Sequence, residues 1–242
     1  MSRTLSLEQL VNQIFTDPLH PLVVPFTDWI SGSKRFRHFA ETYRTKIRAK
    51  IRNAADAEGL NDLVFELEIA RWLLQESRLS IAYEPHNLRK MRGPDFLVTF
   101  TTAFAFGVEV TRMRSSASIL DSYTPDERPH NRLLNIICGK LGQTLPGMIN
   151  LLVIGTDEPT LDQVDLNALL AELKKRAQTK DAQVFSRSSV DNSADFFRAY
   201  QRLSAILVRS TQSQLASSRS ILWVNKEARH PLPGNLQTIL KR

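Results

Sequence analysis

The sequence predicts an α/β protein in which a mixed sheet is flanked by helices and preceded by an N-terminal helical extension. Three observations lead there: 3.6-residue apolar periodicity before residue 78, two-residue alternation with turn signals after it, and a return to helical periodicity between the later strands. The expected division is 1–59 for the helical extension and 60–242 for the α/β core with a C-terminal tail. Of the 242 residues 24% are charged and 42% belong to the apolar set, which excludes a disordered or low-complexity chain.

The elements follow in order. Ser6 and Gln9 form an expected capping box for a helix over 6–15, with Leu7, Leu10, Val11 and Ile14 on one stripe. Pro18, Pro21 and Pro25 read as breaks. A long basic helix is expected over 36–57, stopping near Gly59. A third helix, 61–77, is apolar around most of its circumference and carries Glu66 and Glu68 in its middle. Strands are expected at 80–84, 95–100, 104–111, 150–156, 205–209 and 221–225, with helices at 131–143, 166–177, 193–200 and 236–241 and polar loops at 114–130, 178–192 and 210–220.

Several function classes drop out. The sequence has no Gly-rich phosphate loop, no G-x-S-x-G elbow and no Cys or His pair at zinc spacing. The single cysteine, Cys138, sits in an apolar run and reads as a small core side chain. Apolar runs such as 151–154 stop at four residues and the N-terminus has no signal-peptide core, so a soluble, cytoplasmic protein is expected. The net charge of +7 favours polyanionic partners. Much of it is local, since Lys34, Arg35, Arg37, Arg44, Lys46, Arg48, Lys50 and Arg52 are opposed in that stretch only by Glu41.

The informative segment is a hairpin. A three-residue loop at 101–103 sets Phe100 opposite Phe104, Val98 opposite Phe106 and Phe96 opposite Val108, which makes one face wholly apolar. The same register sets Leu97 by Gly107 and Asp95 opposite Glu109, with Thr111 further along that face. Like charges so placed repel unless a cation lies between them, and two carboxylates suit Mg²⁺ or Mn²⁺. The alternative is a slipped register, or Asp95 capping its strand after Pro94 while Glu109 pairs with an arginine.

Glu66 in a helix, then Gly93-Pro94-Asp95-Phe96 opening a strand, then Gly107-Val108-Glu109-Val110-Thr111 closing the hairpin, together resemble the PD-(D/E)XK nuclease superfamily with its restriction-endonuclease-like fold. The resemblance covers about 60–156, and its chain order is helix, three strands, helix, strand. It implies one or two Mg²⁺ ions held by Glu66, Asp95, Glu109 and the carbonyl of Val110, with Glu68 as substitute for Glu66. It also implies metal-dependent phosphodiester hydrolysis of nucleic acid, DNA in the first place. The family's lysine, two residues after the glutamate, is here replaced by Thr111. Lys140, with Gln143 one turn on, is the candidate for the missing cation, since members of the superfamily place a catalytic side chain on a neighbouring element. Arg44, Arg48 and Arg52 of the basic helix, with Arg112 and Arg114 after the hairpin, would hold the phosphate backbone, and the N-terminal helices would add a binding or homodimerisation element. Two other readings stand beside this one: the same fold without catalysis, as a nucleic-acid-binding or scaffolding module, and a protein-interaction domain.

Overall fold

A computed structural model describes residues 5–85, 93–101, 104–114, 129–181, 184–185, 190–211 and 219–241. The hairpin loop residues 102–103 and most of the polar stretches expected as loops lie outside the described residues. The chain is α/β, with six strands and a mixed, open sheet. It divides into two compact units, Met1–Tyr83 and Glu84–Arg242.

The first unit holds helices α1 (Leu7–Ile14), α2 (Val23–Gly32), α3 (Lys34–Asn53) and α4 (Ala57–Leu73), followed by strand β1 (Leu79–Tyr83). The capping box forms as the sequence indicates, Ser6 Oγ accepting from Gln9 N at 3.1 Å and Gln9 Oε1 from Ser6 N at 2.9 Å. Helix α2 is an addition to the expected elements, because its prolines read as breaks. Pro25 sits in the first turn, where its missing N–H would find no intrahelical acceptor anyway. Burial of Phe26, Trp29 and Ile30 then fixes the helix. Helix α3 is kinked at Tyr43 (φ −107°, ψ 17°) and buries Phe36, Phe39, Ala40 and Ile47. Arg35 of α3 holds the chain beyond α4, its guanidinium donating to the carbonyls of Leu74 and Glu76 at 2.6 Å and to that of Leu79.

The second unit holds β2 (Phe96–Phe100), β3 (Phe104–Arg112), α5 (Pro129–Leu141), β4 (Ile149–Thr156), α6 (Glu158–Leu161), α7 (Leu166–Gln178), α8 (Ser193–Tyr200), β5 (Leu203–Ser210), β6 (Ser220–Val224) and α9 (Gly234–Leu240). Strands β2 to β6 lie in sequence order. The β2–β3 and β5–β6 pairs are antiparallel, and β3, β4 and β5 run parallel. The hairpin register is the expected one, from Phe100 opposite Phe104 to Phe96 opposite Val108. On the sheet face of Leu152, Ile154, Ile206 and Val208, helices α5, α7 and α8 close a core that takes in Leu133, Ile137, Leu141, Leu170 and Phe196, with Cys138 buried among them as a small apolar side chain. Among the described residues no helix is long and apolar enough to cross a membrane.

Helix α5 is tied to α7 at its start. His130 Nε2 lies 2.7 Å from Glu172 Oε2, and Arg176 contacts the other carboxylate oxygen at 2.6 Å. Burial works against the Glu172 charge, but the His130 hydrogen bond and the Arg176 guanidinium outweigh it and hold the carboxyl below its ordinary range. A depressed pKa stabilises the fold above the unfolded-state value, about 4.3 for Glu, and that contribution disappears as pH falls through the folded value. Because the group is over a third exposed, Glu172→Gln is expected to cost about 0.5–1 kcal/mol at pH 7 in urea unfolding. The gap to wild type should close in a titration below pH 4; a gap that persists undiminished there would assign the loss to packing.

Candidate active site

Strand β3 supplies the acid and α5 the base of the pair that organises the site. Since side chains alternate along a strand, Glu109 and Thr111 share the face of their β4 neighbours Leu152 and Ile154, the face α5 covers. Lys140, in the last turn of α5, reaches back so that its Nζ lies 2.7 Å from Glu109 Oε1, both side chains being mostly buried at 21% and 15% exposure. Helix α5 ends at Leu141 rather than at 143. A tight turn follows, Gln143 N donating to Lys140 O at 3.0 Å, and it brings Gln143 Oε1 to 3.4 Å from the same Nζ.

Asp95 departs from the expected geometry. The ladder stops at Phe96–Val108, and Asp95 Oδ2 accepts a hydrogen bond from Val110 N at 2.7 Å instead of facing Glu109 as a further rung. In this register Pro94 would face Val110; it has no N–H to give to the Val110 carbonyl, and the Val110 N–H is taken by the Asp95 carboxylate. In a strand, a residue's N–H and C=O point to the same neighbour, so the Val110 carbonyl is directed to the Asp95 side of β3. Of the alternatives open from the sequence, the register has not slipped. Asp95 does cap, and Glu109 is paired with a cation, although with a lysine rather than an arginine.

Glu66 belongs to the first unit. There Lys50 Nζ holds its two oxygens at 2.7 and 2.9 Å, and the same ammonium lies 4.9 Å from the Tyr83 ring centroid. Glu68 is half-buried on α4. Arg44, Arg48 and Arg52 are exposed on α3. Arg112, half-buried at the end of β3, falls on the face opposite Glu109 by alternation, and Arg114 is exposed beyond it. The structure therefore brings together Glu109, Lys140 and Gln143, sets Asp95 and Val110 at the adjoining strand edge, and leaves Arg112 off that face.

An open pocket with about 340 Å³ of empty space lies at the pair, lined by Pro94, Gly107, Glu109, Lys140, Gln143 and Asn150 among others. A side chain at Gly107 would stand 3.5 Å from both Pro94 Cγ and Asn150 Oδ1. Asn150, read from the sequence only as the start of a strand, is the residue that shapes this corner. Its Oδ1 accepts from Leu145 N at 2.9 Å, and its Nδ2 donates to the carbonyls of Leu145, Met148 and Arg202 at 2.8, 3.1 and 3.0 Å. The turn that carries Gln143 is thereby fastened to the start of β5. The available signal was a lone amide opening an otherwise apolar strand, a residue that must be buried with its partners or not at all.

The donors Asp95, Glu109 and the Val110 carbonyl are hard oxygens, and in kind they fit Mg²⁺ or Mn²⁺. Among the described residues no group of three or more His, Cys, Asp or Glu side chains is placed to hold a metal ion. A divalent ion on Glu109 would compete with the Lys140 ammonium. Compared with protein-family models, curated proteins and solved structures, the chain matches none.

Asn150→Ala leaves several backbone groups without their partner, and each unsatisfied buried group costs about 1–3 kcal/mol. A loss of about 2–4 kcal/mol in chemical unfolding is expected, with Asn150→Asp also destabilising because a carboxylate cannot donate to three carbonyls. A loss below about 0.5 kcal/mol would show that water replaces the amide.

Proposed function

We propose that the chain is a divalent-cation-dependent phosphodiesterase of the PD-(D/E)XK type acting on nucleic acid, DNA in the first place. The observation that carries this reading is Lys140 Nζ on Glu109 Oε1 at 2.7 Å. The cation that the family's pattern requires beside the hairpin glutamate, and that Thr111 cannot supply, comes from the next helix. The order α4, β1, β2, β3, α5, β4 along the chain also follows the family's core order.

In this reading Asp95, Glu109 and the Val110 carbonyl would hold the ion. When bound, a divalent ion polarises the scissile phosphate and lowers the pKa of a coordinated water. Lys140, the cation next to Glu109, would place its positive charge beside the non-bridging phosphate oxygens as negative charge builds there. Gln143, one turn on, keeps the ammonium from swinging away and offers its amide to the attacking water. Pro94, Leu141 and Leu152 supply apolar wall to the same pocket.

A second reading, the same fold without catalysis, is favoured by a specific observation: Glu109 and Glu66 each carry a lysine partner, Lys140 and Lys50, and are neutralised without an ion. Nicking of supercoiled plasmid separates the two. Millimolar Mg²⁺ or Mn²⁺ should support nicking by the wild type and not by Asp95→Ala or Glu109→Ala. Lys140→Ala should slow it by about 10²–10³-fold, the usual cost of one donor to developing charge. Thr111→Lys in the Lys140→Ala background should restore part of the rate, since residue 111 shares the Glu109 face. Wild-type protein that never nicks, and gains no melting temperature with either ion, would establish the non-catalytic reading.

A further inference from the structure

The basic run on α3 is not one uniform surface, and the way its residues divide assigns a partner. Arg35 is committed to three backbone carbonyls past α4. Arg37 donates to Glu41 and to the Leu5 carbonyl, Lys46 to the Tyr83 carbonyl at 2.9 Å, and Lys50 to Glu66. These four are internal fasteners of the first unit. Arg44, Arg48 and Arg52 are exposed and follow one another at four-residue spacing along the segment beyond the Tyr43 kink; Arg44 also donates to the Glu41 carbonyl of its own helix at 2.8 Å, on the exposed surface.

We infer that Arg44, Arg48 and Arg52 form a phosphate-tracking edge that binds consecutive phosphates of one nucleic-acid strand without reading its bases. The inference rests on the phosphodiester reading for the choice of a nucleic acid among polyanions. Four residues of helix rise about 6 Å, on the order of the repeat between neighbouring phosphates of a strand, so three guanidinium groups in line meet a regular row of anions. Arginine suits the task because its planar fork pairs with two phosphate oxygens. Arg52 also lies in the last turn of α3, where the helix dipole favours a cation. A lipid surface is a poor match. The apolar side of α3, Phe36, Phe39, Ala40 and Ile47, is spent in the protein core, and among the described residues the exposed large apolar side chains, Leu19 and Val24, lie outside α3.

The test is fluorescence anisotropy of the full chain with a labelled random-sequence duplex, in metal-free buffer with chelator so that binding is read without cleavage, across about 50–200 mM salt. Each phosphate neutralised adds about 0.9 to the slope of log affinity against log salt, so three contacts account for about 2.7, or about 40-fold over that fourfold range. Replacing all three by Gln, a good helix former, should remove that roughly 40-fold salt dependence with the thermal midpoint unchanged. A charge-matched triple Gln variant of the exposed Lys175, Lys226 and Lys241 should keep it. Should the arginine triple melt early, Arg48→Gln alone should lower the slope by about 0.9. Equal losses in both triples would reduce the effect to net charge and overturn the inference, as would equal affinity for polyglutamate or for anionic vesicles. Failure of plasmid nicking alongside a retained arginine-dependent slope would sink the catalytic reading and leave this one standing.

Discussion

A carboxylate on a sheet face that a helix covers must be paired, and Glu109 meets Lys140 for that reason. Breaking such a pair by removing one partner commonly costs about 3–5 kcal/mol when it is fully buried, because the remaining charge is stranded. The pairing therefore constrains more than two side chains. It requires the last turn of α5 to lie over β3, it fixes where α5 ends, and it places the turn with Gln143 at the pocket mouth. Asn150 then secures that turn, three of its hydrogen bonds going to Leu145 and Met148 and one to the Arg202 carbonyl at the start of β5. At the other end of α5, the His130–Glu172–Arg176 contacts hold the helix against α7.

The site's second constraint is Pro94. The β2–β3 ladder ends at Phe96–Val108; beyond it Pro94 has no N–H for the Val110 carbonyl, and the Asp95 carboxylate accepts from Val110 N. The Asp95 carboxylate and the Val110 main chain therefore lie side by side at the end of the ladder.

Much of this was legible in the sequence for local reasons. Alternation of Phe96, Val98, Phe100 with Phe104, Phe106, Val108 fixes both the register and the buried face, because a one-residue slip would turn every aromatic ring to the other side. Lys140 could be placed near Glu109 since a helix following a strand in an α/β chain packs back over the sheet. Other features depend on partners distant in sequence. The clamp of Arg35 on the carbonyls of Leu74, Glu76 and Leu79, the grip of Lys50 on Glu66 and the tethers of Asn150 have no local signature. Helix α2 was hidden by Pro25, whose position in a first turn is harmless but whose residue type signals a break. Asp95 was open from the sequence to a rung opposite Glu109 or to a cap after Pro94, and it caps, because alternation fixes register but not where a ladder ends.

Under the proposed function, Lys140 and a divalent ion would be alternative partners of Glu109, whose carboxylate the ammonium holds in this structure. Crystals soaked in Mn²⁺ and measured for anomalous scattering test it directly. The account predicts a peak bridging Asp95 and Glu109, with the Lys140 ammonium moved off Glu109 Oε1. Crystals at millimolar Mn²⁺ with no peak there and Lys140 still seated on Glu109 would contradict it.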